Sequence, residues 1–87
     1  MPPPLVDVGE RFGQAVRQRR EARGWSQQQL ARRAGLNRSY MGEVERAAVM
    51  PSLATASKLA DALELPLSHL LSQAEGGEES EPEQEKR

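Results

Sequence analysis

The sequence predicts an all-α fold, a compact bundle of five short helices. Apolar residues recur at helical spacing in separate short segments, as expected for the buried faces of amphipathic helices. Residues that favour helix starts or ends, chiefly Ser, Asn, Gly and Pro, lie at the boundaries between these segments. Eighty-seven residues allow one small domain. We place this domain at residues 9–73, between a flexible N-terminal segment, 1–8, and a disordered acidic tail, 74–87.

The first predicted helix, residues 9–23, has its buried side on Phe12, Ala15 and Val16. Gly24 then ends the helix, because glycine adopts the left-handed conformation at a helix C-terminus at the lowest cost. The proline-rich start of the chain precedes this helix and is expected to be loosely packed.

Two short amphipathic helices follow, and the break between them is very tight. Ser26 is a good N-cap for helix 2, and Gly35 ends it. A single residue separates Gly35 from Asn37, the expected N-cap of helix 3. The apolar faces of the two helices consist of Leu30, Ala31, Ala34, Met41 and Val44. Helices joined so closely must cross steeply, with small residues where they approach.

The faces of helices 2 and 3 that a core does not need carry hydrogen-bonding and mostly cationic side chains. These are Gln27, Gln28, Arg32, Arg33, Arg38, Ser39, Tyr40, Glu43 and Arg46. A steeply crossed pair with such side chains is the layout of a helix-turn-helix, formed by helices 2 and 3, whose second helix enters a DNA major groove.

One set of residues in and after these helices has a specific combined spacing. It consists of Ser26-Gln27, Leu30-Ala31, Ala34-Gly35-Leu36, Met41, Val44, Glu45-Arg46 and Pro51-Ser52-Leu53. By this set the chain resembles the lambda-repressor/Cro-like, or Xre-type, helix-turn-helix family, over roughly residues 12 to 71. Within the family, residues 37–43 are most similar to the controller proteins of restriction–modification systems.

The resemblance has consequences for residues outside the two central helices. It implies that Arg20 pairs with Glu45 across helices 1 and 3, in a partly buried ion pair. The family commonly has Gly where Ala47 stands, so either helix 3 runs further or Ala47 is strained. Ala56 is smaller than the usual family Leu, which implies looser packing at that position.

The fourth predicted helix is capped by Ser52 and runs to Leu63, and a short fifth helix spans residues 67–73. Pro66 fits the first turn of the fifth helix, where its missing N–H costs little. The residues expected to face inward on the fourth helix are Leu53, Ala56, Leu59, Ala60 and Leu63.

Four leucines crowd into seven residues near the edge of the domain. They are Leu65, Leu67, Leu70 and Leu71. A core of about 60 residues is marginal on its own, so we expect some of these leucines to form the interface of a two-fold homodimer. The alternative, in which all four fill the monomer core, stays open.

Composition excludes several classes of function. With no cysteine and one histidine, the chain offers no plausible zinc cluster and no nucleophilic centre, so we expect no enzyme, metal or cofactor. No apolar run approaches the roughly 20 residues that span a bilayer. The first residues do not resemble a signal peptide either, so we expect a cytoplasmic protein with no membrane partner.

The net charge of −1 conceals a strong segregation of charge. Residues 9–47 hold nine arginines and four glutamates, a net charge of +5. Residues 75–87 hold six glutamates against Lys86 and Arg87, a net charge of −4. This pattern predicts a basic nucleic-acid face and a solvated acidic tail.

We expect the DNA contacts to divide between base reading and backbone positioning. Arg38, Ser39 and Glu43 are expected to contact bases, because Arg can bind guanine O6 and N7 and a carboxylate can accept from cytosine N4. Gly42 is expected to let the helix approach the groove floor closely. Contacts to the DNA backbone are expected from Gln27, Gln28, Asn37, Tyr40, Arg46 and Arg33.

The leading interpretation is a homodimeric, sequence-specific regulator of transcription that binds an inverted-repeat operator in double-stranded DNA. It is a repressor if it blocks RNA polymerase, and an activator if it binds just upstream and contacts the polymerase. The alternative is a protein-interaction module, such as the antitoxin of a toxin–antitoxin pair. The +5 charge on the segments that should face DNA favours the first interpretation.

Overall fold

A computed structural model describes residues 5–75, and every regular element within them is an α-helix. The helices are α1 (Leu5–Ala22), α2 (Gln27–Ala34), α3 (Arg38–Glu45), α4 (Leu53–Ala62) and α5 (Leu67–Ala74). The all-α, five-helix prediction is therefore confirmed. None of these helices is both long and apolar enough to cross a membrane. The expectations for the first four residues and for the acidic tail after Glu75 lie outside the described residues.

The core forms where all five helices meet. α1 packs against α3 and α5, while α2 packs against α3 and α4. α2 and α3 are thus neighbours, joined by the tight break that the sequence predicted. The largest fully buried side chains come from every helix and from the residue that ends α4: Phe12, Val16, Leu30, Met41, Val44, Leu59, Leu63 and Leu70.

The first helix begins at Leu5, earlier than the predicted start at Gly9. No proline follows Pro4 in this stretch, and a glycine inside a helix costs only about 1 kcal/mol relative to alanine. Gly9 faces Met50, whose Sδ lies 3.6 Å from the position of a Cβ on this glycine. This turn of α1 therefore packs against the loop between α3 and α4.

Two packing details differ from the sequence prediction on α4 and α1. Leu53 was expected to face inward, but it is 68% exposed, because it is the first residue of α4 and lies beyond the edge of the core. Gly13 was not singled out, yet α1 passes very close to the end of α3 there. A Cβ on Gly13 would lie 2.6 Å from the carbonyl oxygen of Val44, a distance that no side chain tolerates.

Helices α1 to α4 all end in the same way. In each, the N–H of the residue that follows a positive-φ residue bonds to a carbonyl five residues back, as Leu36 N does to Ala31 O at 2.8 Å. This Schellman arrangement requires a residue with positive φ. The four residues in that conformation are Gly24 (φ 73°), Gly35 (φ 72°), Ala47 (φ 64°) and Glu64 (φ 61°).

The sequence left two alternatives for the end of α3, a longer helix or a strained Ala47. The helix ends at Glu45 and does not run further, and Ala47 adopts the left-handed conformation. In this conformation Cβ approaches the following carbonyl, which costs roughly 1–2 kcal/mol for a residue other than glycine. The strained alternative is therefore the one that the structure adopts.

We expect Ala47→Gly to stabilise the protein by about 1 kcal/mol, because glycine adopts this conformation without the Cβ clash. The gain is smaller than the full cost of the clash, because glycine also raises the conformational entropy of the unfolded chain. Urea unfolding followed by circular dichroism measures the change. Gly35→Ala is the matched control, because it places a Cβ at the equivalent point after α2 and should destabilise. A lower stability of Ala47→Gly than of the parent would contradict the strain.

Candidate nucleic-acid interface

One face of α3 stays accessible because the opposite face packs in the core. Met41 and Val44 are fully buried. Arg38 and Ser39 in the first turn are exposed, and Glu43 is half-buried one turn further along. The three residues that the sequence predicts as base contacts therefore lie on the accessible side of one helix. An α-helix has the width that a DNA major groove admits.

The N-terminus of α3 is anchored by Asn37. Its Oδ1 accepts a hydrogen bond from the backbone N–H of Tyr40 at 2.7 Å, as expected for an N-cap. This bond uses only the oxygen of the amide, so the NH₂ group of Asn37 keeps its donors. The half-buried Tyr40 packs against the core. Both residues expected to contact the DNA backbone here therefore have a structural role as well.

The N-terminus of α2 lies in a capping box. Ser26 Oγ accepts from the N–H of Gln29 at 3.1 Å, and Gln29 Oε1 accepts from the N–H of Ser26 at 2.7 Å. The sequence identified Ser26 as the cap but not Gln29 as its partner. Gln27 and Gln28 occupy the first turn, where backbone N–H groups have no partner within a helix and favour an anion.

The carboxylate of Glu45 joins three helices. Arg20 of α1 donates to it twice, from Nε at 2.7 Å and from Nη2 at 3.0 Å. Gln27 of α2 donates from Nε2 to Glu45 Oε1 at 3.0 Å. Arg20 also donates from Nη1 to the carbonyl of Trp25 at 2.8 Å. The ion pair implied by the family resemblance is present, and the bond from Gln27 is a contact that the sequence did not reveal.

The Arg20–Glu45 pair is largely withdrawn from water. The side chains are 11% and 4% exposed, respectively. The hydrogen bonds to Glu45 raise the pKa of the Arg20 guanidinium above its ordinary value, and burial opposes this rise. Loss of either partner would leave the other charge uncompensated in a poorly hydrated place. The pair therefore fixes α1 relative to α3.

Gly42 lies beneath side chains of the protein itself. A Cβ on Gly42 would lie 3.0 Å from Nη1 of Arg46 and 3.7 Å from Oε1 of Gln27. The residue is buried, although it belongs to the helix expected to enter the groove. The space next to Gly42 is therefore occupied by Arg46 and Gln27, and the close approach of Gly42 to the groove floor stays a prediction.

Arg33 lies at the opposite end of α2 from Gln27. Its guanidinium is 4.2 Å from the centroid of the Trp25 ring, and that of Arg23 is 5.2 Å from the same centroid. Arg23 also forms a salt bridge to Glu64 at 3.0 Å. These cation–π contacts hold the end of α2 against the end of α1. The structure thus engages the guanidinium of Arg33 with Trp25, at the end of α2 that is remote from Gln27.

The four leucines near α5 do not share one environment. Leu70 is fully buried, and with Ala74 it belongs to the core of the monomer. The expectation that Leu70 forms a dimer interface is therefore wrong, because α5 uses this side chain to pack within its own chain. Leu65, Leu67 and Leu71 are only half-buried and pack at the edge of the core.

Comparison with known proteins assigns the fold to a family. A family model described as Helix-turn-helix (HTH_3) matches residues 16–70, well over half of the chain. The chain belongs to the lambda-repressor/Cro-like (Xre-type) helix-turn-helix family. In this Xre-type chain α2 and α3 form the helix-turn-helix.

Three relatives show what this Xre-type chain is similar to. It is 37% identical over 57 residues to the HTH-type transcriptional regulator SutR of Escherichia coli (strain K12), covering 66% of this chain and 32% of SutR. It is 39% identical over 67 residues to the control protein C.SmaI of Serratia marcescens, covering 77% and 80%. Its structure resembles that of the restriction-modification controller protein C.AhdI from Aeromonas hydrophila, with a TM-score of 0.69, 45% identity, and 74% and 96% of the two chains covered.

These relatives define the class of function. They are DNA-binding regulators of transcription, a class that is not enzymatic. The chain spans about a third of the length of SutR and most of the length of the two controller proteins. The resemblance to controller proteins drawn from the sequence is confirmed.

We expect Glu45→Gln to destabilise the protein by about 3 kcal/mol, because it removes the counter-charge of the nearly buried Arg20. Glu21→Gln is the matched control. Glu21 pairs with Arg17 at 3.1 Å and lies 3.9 Å from Arg20 on the exposed surface of α1, and such exposed pairs contribute less than about 0.5 kcal/mol. Urea unfolding of both variants measures the difference, and equal losses would contradict a special role of Glu45.

Proposed function

We propose that this protein is a homodimeric transcription regulator that binds an inverted-repeat operator in double-stranded DNA. The main support is the accessible face of α3, where Arg38, Ser39 and Glu43 lie together. This face is joined to the start of α2 through the bond between Gln27 and Glu45. One surface therefore presents both side chains that suit base edges and N–H groups that suit phosphates.

Sequence would be read by the first two turns of α3. Arg38 has the donors for a bidentate contact with guanine O6 and N7, and Glu43 has the acceptors for cytosine N4. Ser39 can donate to or accept from either edge. Ser39 and Glu43 are one helical turn apart, so they would contact different base pairs of the same half-site.

Backbone contacts would position α3 in the groove. The first-turn N–H groups of Gln27 and Gln28 suit one phosphate, and the NH₂ group of Asn37 and the hydroxyl of Tyr40 suit its neighbours. Gln27 is already oriented by Glu45 at 3.0 Å, so little side-chain freedom is lost on binding. Arg46 adds a cation that neutralises phosphate charge.

A two-fold dimer would present two copies of α3 to one face of the DNA. The half-sites would then lie one helical turn apart, roughly 34 Å from centre to centre. The surface that best suits the partner subunit is formed by the half-buried Leu65, Leu67 and Leu71. Pairing of these side chains would remove further apolar area from water and stabilise a small core.

The names of the relatives favour a controller or repressor type of regulation. C.SmaI is a control protein and C.AhdI a restriction-modification controller protein, and the chain spans most of each. We propose that occupancy of the operator follows the concentration of this protein in the cytoplasm. The protein would repress where it blocks RNA polymerase and activate where it binds just upstream and contacts the polymerase.

Selection of bound sequences from a random pool of DNA duplexes tests this function. We expect an enriched inverted repeat with half-sites about 10 base pairs apart, and an affinity that falls steeply with salt concentration. No enriched sequence together with a flat salt dependence would contradict DNA recognition. That result would favour a protein-interaction module, such as an antitoxin.

Two substitutions should separate base reading from backbone positioning. Arg38→Ala should cost about 1–3 kcal/mol of specific affinity and flatten one position of the selected motif in each half-site. Gln27→Ala should weaken binding to specific and random DNA by similar factors, with the motif unchanged.

Because Gln27 also bonds to Glu45, both variants need a control for stability. Their thermal unfolding midpoints should be compared with that of the parent, and binding measured well below the lower midpoint. An unchanged motif in Arg38→Ala would contradict the position given to this residue in the groove.

Leu71→Glu should dissociate the dimer and leave a folded monomer with weak operator binding, because the half-buried side chain can turn a carboxylate to water. Leu70→Glu is the contrasting variant: it buries a charge in the core and should unfold the protein. Sedimentation equilibrium and circular dichroism distinguish the two outcomes. A monomeric parent at micromolar concentration would contradict the dimer.

A further inference from the structure

Neither the packing of the core nor the proposed DNA contacts explain why position 42 of α3 is a glycine. Glycine lowers helix stability by about 1 kcal/mol relative to alanine, and it lies here in the middle of an eight-residue helix. No positive φ requires it, since the described glycines with positive φ are Gly24 and Gly35. A reason for glycine at this position must therefore come from its contacts.

The contacts of Gly42 are side-chain atoms of two polar residues. A Cβ at this position would meet Arg46 Nη1 at 3.0 Å and Arg46 Cζ at 4.0 Å. It would also meet Gln27 Oε1 at 3.7 Å. The guanidinium of Arg46 therefore lies back over α3, one turn toward the N-terminus, and occupies the space that a side chain on Gly42 would take.

This position brings the guanidinium next to the start of α2. Gln27 donates a hydrogen bond to Glu45, so the position of its amide group next to Gly42 is fixed. Arg46 has an exposed side chain and forms no salt bridge within residues 8–75. Its donors thus remain available to an anion, beside the amide of Gln27 and the first-turn N–H groups of α2.

We propose that Gly42 is a positioning residue for DNA binding, and that its role is to seat the Arg46 guanidinium beside Gln27 so that both bind the same stretch of DNA backbone. This inference rests on the proposed DNA-binding function. Arg46 supplies the charge that a neutral glutamine lacks, and Gln27 with the α2 N-terminus supplies directed N–H groups. Gly42 itself contacts no DNA and acts only through Arg46.

Substitutions at position 42 should change stability and DNA affinity in opposite directions. An alanine methyl group at 3.0 Å from Nη1 would displace the guanidinium by a few tenths of an ångström, and a leucine side chain would fill its place. Both residues favour helix more than glycine does. A general loss of structure would instead lower stability and affinity together.

The experiment compares Gly42→Ala, Gly42→Leu and Arg46→Ala in the full chain, alone and in combination. Binding to the selected operator and to a random duplex is measured over a series of salt concentrations, together with the thermal unfolding midpoint. Gly9→Ala is the matched control, because it changes a helical glycine whose Cβ position has only an ordinary 3.6 Å contact, to Met50.

Arg46→Ala should lower the salt slope of a half-site by about one. Gly42→Ala should weaken binding to both duplexes severalfold, and Gly42→Leu should approach the affinity and slope of Arg46→Ala. Both position-42 variants should melt at or above the parent temperature. In the Arg46→Ala background neither should weaken binding further, and Gly9→Ala should bind as the parent does.

Three results would overturn the inference. If the position-42 variants bind with the parent affinity and slope, Gly42 does not position Arg46. If they weaken binding equally in the Arg46→Ala background, the glycine serves a close approach of α3 to the groove instead. If the parent itself shows neither sequence preference nor salt dependence, the proposed function fails, and this inference fails with it.

Discussion

The surface proposed to bind DNA depends on one carboxylate, that of Glu45. It accepts hydrogen bonds from Arg20 of α1 and from Gln27 of α2, so α1 and the two helices that form this surface share one point. Gly13 lets α1 pass close enough to the end of α3 for the ion pair to form. A nearly buried pair adds little net stability but is costly to break. We therefore interpret its main role as fixing how α1, α2 and α3 cross.

Within residues 8–75, some arginines pair with side chains of the fold and others do not. Arg20 forms a salt bridge with Glu45, and Arg33 stacks on Trp25. Arg38 and Arg46 are exposed on or next to α3, where a phosphate or a base could reach them. A segment with many arginines is therefore not a uniform basic face. The arginines that we propose for DNA contact, Arg38 and Arg46, belong to neither the ion pair nor the stack on the indole ring.

Whether the sequence predicts a feature depends on how far apart along the chain the interacting residues lie. Caps such as Ser26 and Gly35 depend on a few neighbouring residues, and their positions were correct. The roles of Gly13, Arg33 and Leu70 depend on which helices cross and where, so helical periodicity could not reveal them. The exposed face of α3 was predictable because its apolar residues identify the buried side. The bond from Gln27 to Glu45 was not, because it joins two helices through a steep crossing.

The most direct test of α3 as the element that reads DNA is a titration of isotope-labelled protein with its selected operator duplex, followed by NMR chemical-shift mapping. We expect the largest changes at the backbone amides of Arg38 and Ser39, at the first turn of α2 and at Arg46. The indole N–H of Trp25, the single tryptophan of the chain, should change little. The largest changes at Trp25 and Arg33, with α3 unaffected, would contradict α3 as the element that reads DNA.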